Sequence, residues 1–165
     1  MKSRIYHTES EEATIELGEK LAAELPPAAV VLLIGQLGAG KTTLAKGIVK
    51  GLGAATPDDV SSPTFTLIHE YSPLAHPALP HPPLPHPALL NRDREGAAVY
   101  HIDLYRLDTA AQVATLGLDE IFDRRAVVLI EWGERFPELM PADRIEIHLR
   151  ATEENSREIE VRAGQ

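Results

Sequence analysis

Apolar positions divide this chain into segments of two kinds. Ile15, Leu17, Leu21, Ala22 and Leu25 recur at helical spacing, and Pro26-Pro27 ends the run. Thr8-Glu-Ser-Glu11, just ahead, has the spacing of a capping box. Val30 to Ile34 is a continuous apolar run leading into glycines, the pattern of a parallel strand buried on both faces. A helix is predicted from about Lys41 to Leu52, with Gly53 as its C-terminal stop. Arg4 to Thr8 has some β character. Further strands are predicted over Phe65–Tyr71, Val99–Asp103 and Val127–Trp132, and one or two short helices within Thr109–Phe122. Arg144–Leu149 and Arg157–Arg162 alternate in side-chain type and read as a closing β-hairpin across Glu153-Glu-Asn-Ser156. Strands alternating with helices predict an α/β fold of three layers, with a mostly parallel central sheet and a C-terminal β-hairpin.

One segment breaks the pattern. His76-Pro-Ala-Leu-Pro80, His81-Pro-Pro-Leu-Pro85 and His86-Pro-Ala-Leu-Leu90 are three copies of a five-residue unit. Proline neither donates to a strand ladder nor continues a helix, so about 73–96 reads as a low-complexity insert in a surface loop. Three histidines in register suggest a metal site. A polyproline II helix turns about 120° per residue, so five residues rotate the side chain by roughly 240° and the imidazoles point three ways. A tolerated insertion is the expectation, ahead of partner docking or metal binding.

The 165 residues suffice for one domain, 1–165, and 44% hydrophobic content is globular. The absence of cysteine rules out a disulfide framework, a thiolate metal site and a cysteine nucleophile. The start Met1-Lys-Ser-Arg-Ile-Tyr-His has no apolar h-region, and no stretch is apolar enough to span a membrane. A cytoplasmic protein is expected. A formal net charge of −9 excludes a bulk electrostatic footprint for nucleic acid. It leaves room for a local phosphate site made of backbone N–H groups and one lysine.

Such a site is present as a motif. Gly35-Gln-Leu-Gly-Ala-Gly-Lys-Thr42 matches G-x-x-x-x-G-K-[ST] in full, between an apolar strand and a helix. Glycines let the backbone form a nest of N–H groups facing phosphate, and the helix points its positive end there. Lys41 is placed to reach β- and γ-phosphate oxygens and Thr42 to join a Mg²⁺ shell. The motif makes the fold a P-loop NTPase. Hydrolysis needs a carboxylate near the metal and a group that orients water. Two strands end in acids, at Asp103 and Glu131, and ligands sit beyond the carboxyl ends of strands in open parallel sheets. Which acid meets metal and which meets water stays open. A hydroxyl of Ser61-Ser-Pro-Thr64 could sense the γ-phosphate, although Ser/Pro clusters are usually turns. Trp132 is either a core residue or a neighbour of the nucleotide. Arg106 and Arg135 read first as structural ion pairs, and second as charge stabilisers. With no Asn/Thr-Lys-x-Asp element after the loop, ATP is favoured over GTP.

Gly35-Gln-Leu-Gly-Ala-Gly-Lys-Thr-Thr43, Ser62-Pro-Thr-Phe-Thr66, His101-Ile-Asp-Leu-Tyr-Arg-Leu107 and Glu131-Trp132 occur in that order. Together they resemble the TsaE (YjeE) family, the bacterial ATPases of tRNA threonylcarbamoyladenosine biosynthesis, from about Ile5 to Val161. The resemblance implies weak ATPase activity alone and work with TsaB and TsaD. Those partners install threonylcarbamoyl on adenosine 37 of tRNAs reading codons that start with A, and the ATPase supports repeated turnover. It implies Lys41, Asp103 and Glu131 as catalytic residues. Gly38, Ala39, Gly40, Lys41, Thr42 and Thr43 would hold ATP, with Ser10, Glu11 and Arg157 bordering the nucleotide. Thr42, Thr64, Asp103 and Glu131 would serve Mg²⁺, with Thr64 as a switch hydroxyl and Asp103 as the Walker B-like acid. The 73–96 insert departs from the family's short connection. A small-molecule kinase and a nucleotide-gated interaction module remain as alternatives, but Arg124-Arg125 is the only adjacent basic pair and no arginine-rich lid is evident.

Overall fold

The computed structural model describes residues 3–72 and 98–163. Seven strands, β1 (Ser3–Thr8), β2 (Ala29–Ile34), β3 (Ile68–Tyr71), β4 (Val99–Asp103), β5 (Val127–Glu131), β6 (Ile145–Ala151) and β7 (Arg157–Ala163), form one sheet in the order β1-β7-β6-β2-β5-β4-β3. β2 pairs parallel with both β5 and β6, and β4 pairs parallel with β5. The remaining pairings, β1 with β7, β6 with β7 and β3 with β4, are antiparallel. The sheet is therefore mixed, which corrects the expectation of a mostly parallel one. The β6–β7 hairpin is the one read from the sequence; the added antiparallel pairings are those of β1 and β3, which close the two edges of the sheet.

Each face of the sheet follows strand parity. Val31, Leu33, Val127, Leu129 and Ile147 point to one side, where they pack against helices α1 (Glu11–Glu24) and α2 (Lys41–Gly51). Val30, Leu32, Val128, Ile130 and Ile102 point to the other, against α3 (Ala110–Ala114) and α4 (Leu118–Phe122). The parallel neighbours β4 and β5 are buried throughout. α1 and α2 approach closely because glycines meet at their contact: a methyl on Gly18 would lie 2.6 Å from the Leu44 carbonyl oxygen.

Local signals place the helix ends. α1 stops at Leu25, held extended at φ −67° and ψ 143° by the proline that follows it. Its cap is Ser10, whose Oγ accepts from Ala13 N at 3.0 Å, so the Thr8–Glu11 capping box does not form. Thr8 belongs to β1 instead, and its hydroxyl meets that of Thr14 at 2.8 Å. A true capping box forms at Thr109 and Gln112 on α3.

The strand expected over Phe65–Tyr71 begins only at Ile68. Leu67 takes a left-handed φ of 67°, and its N–H bonds Pro63 O at 2.7 Å, which folds the first part into a turn. The strand expected to include Trp132 ends at Glu131, because Trp132 is left-handed at φ 66°. The Pro/His-rich insert of 73–96 lies outside the described residues. Among the described residues no helix is long and apolar enough to cross a membrane.

Candidate functional site

The loop between β2 and α2 carries its shape in two glycines. Gly38 and Gly40 adopt φ of 78° and 99°, a region that costs other L-residues about 1–2 kcal/mol. Gly40 then caps α2, which starts at Lys41 with its free N–H groups and positive dipole end toward the loop. A methyl on Gly38 would meet nothing within 4 Å, so that side of the loop is open. Ala39 points inward and its N–H is bonded to Gln36 O at 3.0 Å, so Ala39 does not line the opening.

Lys41 is buried, with 5% exposure. Its ammonium donates to the carbonyls of Gly35 at 2.6 Å and Gln36 at 3.0 Å, and lies 4.2 Å from the centroid of the Trp132 ring. No carboxylate bonds it among the described residues. Burial pushes its pKa below the ordinary lysine value, against the opposing pull of Glu131, Glu134 and Asp103. Burial likewise raises the Glu134 carboxyl, only partly offset by its own backbone N–H and by Lys41, His148 and Arg135.

Both strand-end acids are buried beside this lysine. They stand opposite one another in the β4–β5 register. Glu131 Oε1 accepts from the Thr42 hydroxyl at 2.9 Å and lies 2.8 Å from His101 Nε2. Asp103 Oδ2 accepts from Ser62 at 2.7 Å and Thr64 at 3.0 Å, and Oδ1 from Tyr105 N at 2.9 Å. The loop before β3 is thereby tied to Asp103, and Asp103 N bonds Leu67 O at 3.0 Å.

Lys41, Thr42, Ser62, Thr64, Asp103, Tyr105 and Glu131 line a cleft of about 380 Å³, together with Gly38, Gly40, Thr43, Leu37 and Arg157. A second recess of about 110 Å³ holds Ser10, Glu11, Thr14 and Asn155, and shares Gly40, Thr43 and Arg157 with the first. Arg157 joins them: it donates to the hairpin-turn carbonyl of Ser156 at 2.9 Å and reaches Gly38 O at 3.4 Å. So Lys41, Thr42, Thr43, Gly38, Gly40, Thr64, Asp103, Glu131 and Arg157 converge, with Ser10 and Glu11 next door. The Ser10 oxygen already serves the α1 cap. Trp132 sits in the cleft, against Lys41 and Tyr105. Arg135 donates to Tyr105 O at 2.9 Å and lies 3.9 Å from Asp108, while Arg106 stacks 4.1 Å from the ring centroid of exposed Phe65. Sequence reasoning gave His101 and Tyr105 no role, and left Ser62 as one of several loop hydroxyls. Period-2 alternation was the available signal for His101, because it shares a strand face with Asp103.

The family model described as Threonylcarbamoyl adenosine biosynthesis protein TsaE matches residues 8–84 and 85–159. The tRNA threonylcarbamoyladenosine biosynthesis protein TsaE of Bacillus subtilis is 35% identical over 159 residues, spanning 96% of this chain and 85% of that protein. The protein of the same description from a Nostoc species is 37% identical over 154 residues, spanning 91% and 80%. A solved structure, described as the crystal structure of Bacillus subtilis YdiB, has a TM-score of 0.69 at 30% identity and covers 99% of this chain and 87% of that one. With the α/β architecture, the glycine loop and the paired acids in place, these matches make the chain a member of the TsaE family.

Proposed function

We propose that this chain is a P-loop ATPase domain acting in the cytoplasm in the threonylcarbamoyl modification of adenosine 37 of tRNA, in company with TsaB and TsaD. The observation that carries this reading is Lys41. A buried ammonium held by two backbone carbonyls, with no bonded carboxylate among the described residues, is poised for an anion at the mouth of a helix N-terminus. The cleft volume of about 380 Å³ lies within the range of small-ligand sites. Its donors are hydroxyls and carboxylates, the oxygen set suited to Mg²⁺.

The roles follow from placement. The open backbone around Gly38 and Gly40 and the Lys41 ammonium would bind the β- and γ-phosphates of ATP. Mg²⁺, when bound with the nucleotide, would neutralise phosphate charge; Thr42, Glu131, Thr64 and Asp103 are the residues to hold it. Glu131 and Asp103, with fixed carboxylates, would orient the attacking water. Asp103 also anchors the Ser62–Thr64 hydroxyls, so the loop before β3 would respond to what fills the cleft. Arg157 and the second recess would receive the outer part of the nucleotide with Ser10 and Glu11. The acidic chain would meet tRNA only through its partners. We propose a single domain, with the 73–96 insert outside the nucleotide machinery.

Lys41→Ala tests the reading. ATP hydrolysis by the wild type is expected to be slow and to rise with the TsaB–TsaD complex, and the variant is expected to lose both binding and turnover. Transfer of the γ-phosphate to an organic acceptor instead of water would sink this reading in favour of a kinase. Rescue of threonylcarbamoyl modification in a bacterial strain lacking its own TsaE tests the cellular role.

A further inference from the structure

We infer that His101 is a positioning residue whose Nε2–H holds the Glu131 carboxylate in place, an inference that rests on the reading of the cleft as an ATPase site. His101 is fully buried, on the face of β4 that also carries Asp103. In the parallel register His101 lies beside Leu129 and Asp103 beside Glu131, so the imidazole stands one step behind the two acids. From there Nε2 reaches Glu131 Oε1 at 2.8 Å, the same oxygen that accepts the Thr42 hydroxyl at 2.9 Å. A carboxylate oxygen held by two donors, one on α2 and one on β4, has less freedom to swing. Oε2 carries no hydrogen bond from the described residues.

The other imidazole nitrogen identifies what the ring is for. Nδ1 is buried and has no partner among the described residues. His69, its register partner on β3, is engaged with the Tyr71 hydroxyl at 3.3 Å. Among the described residues Glu131 is then the one polar anchor of the ring, and a buried polar atom without a partner is unfavourable. The flanking positions of the same face, Val99 and Leu129, are aliphatic and pack without that cost. An imidazole at this depth is explained by the bond it gives Glu131. Because an ionised carboxylate only accepts, Nε2 is the nitrogen that donates in this bond.

His101→Leu and His101→Gln test the inference on the full chain, Gln being able to donate from nearly the same place. His101→Leu is expected to bind ATP with Kd within threefold of wild type, to keep KM within threefold, and to lose at least tenfold in kcat. His101→Gln is expected to recover most of that loss. Nitrogen-15 imidazole spectra of the wild type are expected to show His101 as the Nε2–H tautomer, and to lose that signature in Glu131→Ala. Wild-type kcat in His101→Leu, or an Nδ1–H tautomer in the wild type, overturns the inference. If His101→Leu fails to fold, the tautomer and the His101→Gln kinetics decide. A wild type that neither binds nor hydrolyses ATP defeats the ATPase reading instead, while the tautomer still reports on the histidine–glutamate bond.

Discussion

Three protein donors converge on Asp103: two hydroxyls on one oxygen and a backbone N–H on the other. Hydrogen bonds to a charged group contribute about 1.5–3 kcal/mol each, so this carboxylate holds the preceding loop in place. Asp103→Asn replaces one charged acceptor oxygen with a donor that opposes the hydroxyls. Faster amide hydrogen exchange across residues 61–67 is expected, along with a drop in ATP turnover of about a hundredfold. In Glu131→Gln the turnover loss is expected to be similar, but the exchange of 61–67 unchanged, because Glu131 bonds Thr42 and His101 and touches neither loop hydroxyl. Equal loop exchange in the two variants would contradict this division between the acids.

Among the elements, the α1–α2 contact sets where the loop's helix stands. A methyl on Gly47 would collide with the carbonyl oxygen of Ile15, and one on Gly51 would come within 2.7 Å of the Ala22 side chain. Backbone cannot yield as a side-chain tip can. Gly47→Ala is therefore expected to destabilise the fold by about 2–3 kcal/mol in urea unfolding, at the upper end of overpacking costs. Gly53→Ala, in open space at φ 70°, is expected to cost only about 1 kcal/mol. Most elements were legible as patterns: the β2 run, α2 with its Gly53 stop, the strands ending in Asp103 and Glu131, and the final hairpin. The misread ends share a cause. Phe65 to Tyr71 is strand-like by composition, but the ties from Ser62 and Thr64 to Asp103 pull its first half into a turn. Thr8 has the spacing of a cap, but β1 pairing with β7 claims it, Thr8 lying opposite Arg157.

For the whole molecule, the ends of the insert matter more than its contents. Tyr71 and Val99 are register partners in the antiparallel β3–β4 pair, so the chain leaves and re-enters the sheet at one place. Loop closure cost grows only slowly with length, about 0.6 kcal/mol per doubling. Replacing residues 73–97 with a short turn is expected to leave urea-unfolding stability within about 1 kcal/mol and ATP turnover unchanged. The charged surface of the β6–β7 hairpin gives a pH-dependent term. Burial alone would raise the Glu146 pKa, but hydrogen bonds from His148 and Arg144 outweigh it and leave it below the usual 4.5. A depressed carboxylate stabilises the fold above its unfolded pKa, and this is lost as pH falls through the folded value. Glu146→Gln is expected to lower the neutral plateau slightly and to leave stability unchanged at pH well below 4.5, so that the profile flattens, as read by thermal melts across pH. Glu146, Arg144 and His148 are partly exposed, so solvent screens their interaction and keeps the effect small.

The glycine loop, Lys41, Thr42 and the two strand-end acids were determined by the sequence alone, because a nest, a helix start and an apolar strand closed by a carboxylate are local patterns. Family resemblance extended this to Ser10, Glu11 and Arg157. Strand neighbours are not local. Only the tertiary structure decided that β5 lies between β2 and β4, which brings Glu131 to Thr42 and sets Asp103 opposite Glu131. The antiparallel pairings of β1 with β7 and of β3 with β4 made the sheet mixed, and neither is set by a short local turn, because the paired strands are far apart in the sequence. His101 is the sharpest case. Its spacing from Asp103 was visible all along, but a histidine on an apolar strand has no evident purpose until parallel register puts a glutamate within 2.8 Å of it.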